Sequence, residues 1–109
     1  MLYTNDVSPA KDLKLRHTIV GPTAVQVAAD SVTLVKGLML RAPGGSDLVP
    51  NTDVIYIGRK SVTCTGIPGS DTDGFPLLPG GVLELPVDDP AGIWAICQTA
   101  GQDLCWIGL

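Results

Sequence analysis

The chain has 109 residues, 45% of them hydrophobic and only 17% charged, with a formal net charge of −4. That length suits one domain, able to bury roughly 65% of its unfolded surface without metal or disulfide staples. Seven Lys and Arg against eleven Asp and Glu argue against a phosphate-neutralising nucleic-acid binder. A charged fraction below the roughly 25% of ordinary soluble domains points instead to apolar surface that an oligomer or a docked subunit would cover.

Residues 1–17 are polar, contain Pro9 and show no clean periodicity, so they read as an extended N-terminal arm before a domain spanning residues 18–109. Lys11, Lys14, Arg16 and His17 gather there, and Arg59-Lys60 form a second basic point; both read as solvated charge. The opening Met1-Leu2-Tyr3-Thr4 has neither the basic nor the apolar region of a signal peptide, which predicts synthesis in the cytoplasm and reduced thiols. No run approaches the roughly 18 apolar residues of a membrane-spanning helix.

From His17 onward the signals are β. A short T-I-V run stops at Gly21-Pro22, T-A-V-Q-V-A alternates, and a long run from Ser31 to Ala42 ends at Pro43-Gly44-Gly45. In that long run Val32, Leu34, Lys36, Leu38 and Leu40 share a face. Gly37 in its middle predicts a bend, bulge or close backbone approach, in a strand that turns a corner between sheets. Ile55 and Ile57 alternate with Val54 and Tyr56 up to Gly58, and K-S-V-T-C predicts a further short strand. Thr65–Gly74 is a turn-rich excursion. Val82–Val87 predicts a strand with Leu83, Leu85 and Val87 inward and Glu84 and Pro86 outward, with Pro86 confining it to an edge or a bulge. Asp88-Asp89-Pro90 is a turn.

The last segment predicts a closing hairpin. A three-residue loop at Ala100-Gly101-Gln102 sets Cys97 opposite Cys105, although Gln102 occupies a position that prefers Gly; a two-residue loop at Gly101-Gln102 sets Cys97 opposite Trp106. In the first register Trp94, Ile96, Gln98, Leu104 and Trp106 share a face, and Ile93, Ala95, Cys97, Cys105 and Ile107 share the other. Both faces are apolar, so the second face must meet an arm, a loop or another subunit, and Trp94, Ile96 and Trp106 are the candidate subunit interface. Turn signals recurring every 8 to 12 residues or so, with no convincing helix, give an all-β fold: one small antiparallel β-sandwich or jelly-roll-like barrel.

Reactive chemistry has little to build on. His17 is the only histidine and no nucleophile motif accompanies it. The three cysteines lack C-x-x-C spacing, so neither a metal nor another cofactor is expected. Asp71-Thr72-Asp73-Gly74 resembles part of a calcium loop, but Gly69 and Gly80 stand where its first and last ligands belong, so it reads as a solvated turn. Phe75, between Gly74 and Pro76, is the candidate exposed anchor if the chain binds carbohydrate; its alternative role is a plug folding the long loop onto the sandwich.

The order of K-G-L-M-L-R-A, N-T-D-V-I-Y-I-G-R-K-S-V-T, G-F-P-L-L-P-G-G-V-L-E-L-P-V-D and the I-W-A-I strand, over roughly residues 31–109, resembles small virion proteins of tailed bacteriophages, in particular the capsid decoration or cement class. The resemblance implies a β-sandwich, often trimeric, on the outer surface of the phage head, bound to the major capsid protein and bridging neighbouring capsid subunits. It brings no catalytic residue and no small-molecule substrate. The arm, through Leu2, Tyr3, Leu13, Lys14, Leu15 and Arg16, is the expected capsid-contacting element. A tail- or fibre-associated structural role and a carbohydrate-binding module are the alternatives.

Overall fold

Short apolar–polar alternations interrupted by Gly, Pro and Asp can form strands but not helices of useful length. The computed structural model describes residues 15–28 and 33–109, and it realises that pattern. The described strands are β1 (Leu15–Val20), β2 (Val25–Gln26), β3 (Leu38–Arg41), β4 (Ile55–Gly58), β5 (Phe75–Leu77), β6 (Val82–Leu85), β7 (Trp94–Cys97) and β8 (Gln102–Gly108). One 3₁₀ turn, Pro90–Gly92, precedes β7. The Asp89 side chain caps it by accepting from the Ala91 N–H at 2.9 Å.

Two four-stranded antiparallel sheets result, in the orders β1-β8-β3-β6 and β2-β7-β4-β5. The ladders β1·β8, β2·β7, β3·β6 and β4·β5 pair strands symmetrically from the two ends of the chain, as in one long folded hairpin. Two further ladders, β3·β8 and β4·β7, roll that hairpin up. This is a jelly roll. Its core joins Val20, Leu38, Leu40, Leu104 and Trp106 of the first sheet to Ile55, Ile57, Leu77, Ala95 and Cys97 of the second.

The rolled topology corrects the closing hairpin. β7 and β8 lie in opposite sheets, so neither proposed register forms. Cys97 pairs with Ile55, Cys105 lies between His17 and Arg41, and all three cysteines are free. The reason is that each strand has one side suited to the interior: Ala95 and Cys97 can share a core with Leu104 and Trp106 only from the facing sheet. Trp106 therefore points inward while Trp94 and Ile96 point outward, and the three do not form one interface.

Two other expectations shift. β1 begins at Leu15, opposite Ile107, because β8 is long enough to pair with all six residues before the Gly21-Pro22 break. Leu15, Arg16 and His17 thus belong to the sandwich and not to the arm; Leu2, Tyr3, Leu13 and Lys14 lie outside the described residues. The run from Ser31 to Ala42 is a strand only over Leu38–Arg41, and Val32 is outside the described residues. Leu34, Leu38 and Leu40 are buried as expected, but Lys36 is exposed, because the chain before Gly37 leaves the ladder. There the Val35 and Lys36 N–H groups donate to the Leu109 carbonyl at 3.0 and 2.9 Å. K-S-V-T-C forms a turn and a single bridge, Thr63 to Asp73, in place of a strand.

Candidate functional site

Exposed apolar side chains identify where this small domain has surface to spare. Leu48 is 99% exposed and Val49 77%, on the loop that carries the chain from β3 to β4. That loop is braced. At its start Arg41 donates to Asp47 Oδ2 at 2.7 Å, the Gly44 N–H donates to the same oxygen at 2.6 Å, and the Asp47 N–H returns to the Gly44 carbonyl at 2.9 Å. Those hydrogen bonds, from Arg41 first and Gly44 second, hold the Asp47 carboxyl below the ordinary carboxylate range. At its end the buried Gln102 side chain accepts from the Thr52 N–H at 2.7 Å and the Asp53 N–H at 3.1 Å. A loop tied at both ends presents its apolar tip in a fixed position.

The excursion from Arg59 to Gly74 is built around one carboxylate. Asp73 Oδ1 accepts from the Thr63 hydroxyl at 2.7 Å, the Thr65 N–H at 2.8 Å and the Thr65 hydroxyl at 3.0 Å, while Oδ2 accepts from the Gly66 N–H at 2.8 Å. Burial works to raise this group, but the hydrogen bonds outweigh it and hold its pKa at about 2. Within the Asp71-Thr72-Asp73-Gly74 turn, the Asp73 carboxylate is therefore satisfied by the chain itself. The turn's outer wall, together with Arg59, Ser61 and Phe75, lines a groove of about 380 Å³.

The same excursion explains the second apolar face. Tyr56 and Ile96 pair across β4 and β7 and, with Trp94, point outward, yet all three are half-buried. Gln98 Nε2 donates to the Cys64 carbonyl at 2.6 Å, and a Cβ on Gly66 would stand 3.9 Å from Tyr56 Oη, so the chain's own loop lies beside this sheet. Phe75 is 61% exposed. Arg16 is exposed on β1; Trp106 is 3% exposed, and its indole N–H finds no partner among the described residues. Leu48 and Val49 escaped sequence reasoning, although two large aliphatic residues before Pro50 in a turn-rich stretch, with no alternation around them, were the available signal.

One outward cluster brings histidine and cysteine together. His17 lies opposite Cys105 in the β1·β8 ladder, and Asp103 stands between their reactive atoms, 3.2 Å from His17 Nδ1 and 4.0 Å from Cys105 Sγ. A nucleophilic thiolate needs a base or a cation beside it. Cys105 Sγ meets the Asp103 carboxylate, and burial first and Asp103 second push its thiol up against the opposing pull of Arg41. Burial likewise pushes up Cys97 and Cys64. Among the described residues no three His, Cys, Asp or Glu side chains gather as a metal site.

Comparison with protein-family models, with curated proteins and with solved structures returns no match for this chain.

Proposed function

We propose that this protein is a non-enzymatic structural subunit that docks on a larger assembly, and that the assembly is a bacteriophage head whose outer surface it decorates through contacts with the major capsid protein. The observation that carries the docking reading is Leu48: an almost wholly exposed leucine, beside exposed Val49, on a loop tied down by Arg41–Asp47 and by Gln102. Burying one such side chain stabilises a contact by about 1.5–3 kcal/mol, and a pre-braced loop loses little freedom in making it. The choice of a phage head comes from the order of sequence motifs. A jelly roll is compatible with it, since viral capsid domains use that architecture, but the fold is shared with lectins and cupins and does not select among them.

On this reading each contact is modest, and a homotrimer makes attachment firm because three linked contacts raise the effective concentration of one another. The test is co-sedimentation of the purified protein with undecorated phage heads, with light scattering to count its subunits. Saturable binding by a trimer, lost in Leu48→Asp while the melting temperature stays unchanged, is the expected result. A monomer that ignores heads overturns the proposal.

A further inference from the structure

The groove beside β5 carries chemistry that docking through Leu48 does not use. Phe75 lies opposite Ile57 in the β4·β5 ladder, and directly opposed residues project from the same face of a sheet. Ile57 and Leu77 on that face are buried, whereas Phe75, at the open end of the strand, is 61% exposed. An aromatic ring without a polar tip is thereby left largely open to solvent at the end of the ladder that forms the core.

Arg59 and Asp71 line the same groove, both exposed. Among the described residues neither side chain makes an ion pair or a hydrogen bond. Arg59 offers five N–H donors and Asp71 two acceptor oxygens, with the Ser61 and Thr72 hydroxyls nearby in the lining. The wall that bears Asp71 and Thr72 is rigid because Asp73, next in sequence, accepts from Thr63, Thr65 and Gly66. Asp73 also lines the groove, but its carboxylate is already taken up by four donors from Thr63, Thr65 and Gly66, so the groups left open are one cation and one anion, which attract an ion of neither sign strongly. They suit a neutral molecule that presents donors and acceptors on one edge and C–H groups on one face.

We infer that this groove binds a neutral glycan of one or two sugar units, with a pyranose face against Phe75 and its hydroxyls shared between Asp71 and Arg59. A volume of about 380 Å³ lies at the low end of small-ligand sites and matches an occupant of that size. The inference is independent of the decoration reading, because Leu48 and Val49 do not line the groove.

The test is an NMR titration of the full chain, ¹⁵N-labelled, with maltose, cellobiose, lactose and N,N′-diacetylchitobiose into the tens of millimolar, and with 3′-sialyllactose as the charged control. A saturable shift confined to residues 57–75 with at least one neutral disaccharide is expected. Phe75→Ala should weaken that binding about tenfold, the scale of one aromatic contact. Asp71→Ala should weaken it too, and Leu48→Asp should leave it unchanged. Absence of a saturable shift with all four sugars overturns the inference. So does equal binding by Phe75→Ala, or tighter binding of sialyllactose than of lactose.

Discussion

Asn51 and Asp103 exchange two hydrogen bonds as though they were paired strand residues: Asn51 Nδ2 donates to the Asp103 carbonyl at 2.7 Å, and the Asp103 N–H donates to Asn51 Oδ1 at 2.8 Å. The register shows why a side chain is needed. β3 pairs Arg41 with Cys105, so its continuation would set Pro43 against Asp103, and proline has no N–H to give. Asn51 supplies the missing rung, and its own N–H donates to the Pro43 carbonyl at 3.1 Å.

Asn51→Ala should therefore cost about 2 kcal/mol, since it leaves a backbone donor and acceptor of β8 without partners in a largely buried place. Denaturant unfolding measures this directly. A loss below about 0.5 kcal/mol would show that the rung is dispensable.

Gln102 makes a sharper case, because turn preferences alone would place Gly there. It is 4% exposed, and its Oε1 is the acceptor for both the Thr52 and Asp53 N–H groups. Gln102→Gly should destabilise by more than about 2 kcal/mol, although it improves the residue for a hairpin that does not exist. An unchanged unfolding midpoint would refute the bracing role.

How much of this was legible in the sequence follows from the range of the interactions. The all-β class and most strands come from local alternation: Ile55 and Ile57 inward, Leu83 and Leu85 inward, Pro86 just beyond an edge strand. Pairing is not local. Trp94–Cys97 and Gln102–Gly108 look like a hairpin because only a short turn separates them, and nothing nearby says that β8 will prefer β1 and β3 from far along the chain. The buried Asn51 and Gln102 read as loop residues for the same reason, their partners being distant backbone. For the candidate site, exposed Phe75 was readable from its Gly and Pro neighbours, whereas Arg59 and Asp71 meet in one groove only after the excursion folds around Asp73.

Asp73 predicts a pH signature. Its carboxyl is held at about 2 by hydrogen bonds, below the roughly 3.9 of an unfolded aspartate, so folding favours its ionised form. The associated stabilisation is fully present above about pH 4 and is lost as the pH falls through about 2. Asp73→Asn should be less stable than the wild type at pH 7, and the gap should narrow between about pH 4 and pH 2. Unfolding midpoints of the two proteins across that range test this; a constant gap would mean that the hydrogen bonds do not favour the charge.

Gly37 predicts a backbone effect. Its φ is +135°, and a Cβ there would stand 2.4 Å from the Leu85 carbonyl oxygen. Gly37→Ala should cost about 1–3 kcal/mol, from the strained conformation together with the displaced β6 backbone. Thermal unfolding should show the loss, and a variant that melts with the wild type would mean that β3 and β6 can separate freely at this point.

The decoration reading predicts that attachment and folding can be separated at Lys14. Deleting residues 1–14 removes nothing of β1, whereas deleting residues 1–17 takes three of its six residues and uncovers one side of β8. The shorter deletion should keep the melting temperature and lose saturable binding to phage heads; the longer one should lose stability as well. Retained head binding after the shorter deletion would remove the arm from the proposal and leave Leu48 as the contact to examine. Ile96→Asp probes the trimer separately, since Ile96 points outward beside Tyr56 and Trp94 and is only half-buried by the chain itself. A trimer that scatters light as before, with unchanged melting, would place the subunit interface elsewhere than on the β2-β7-β4-β5 face.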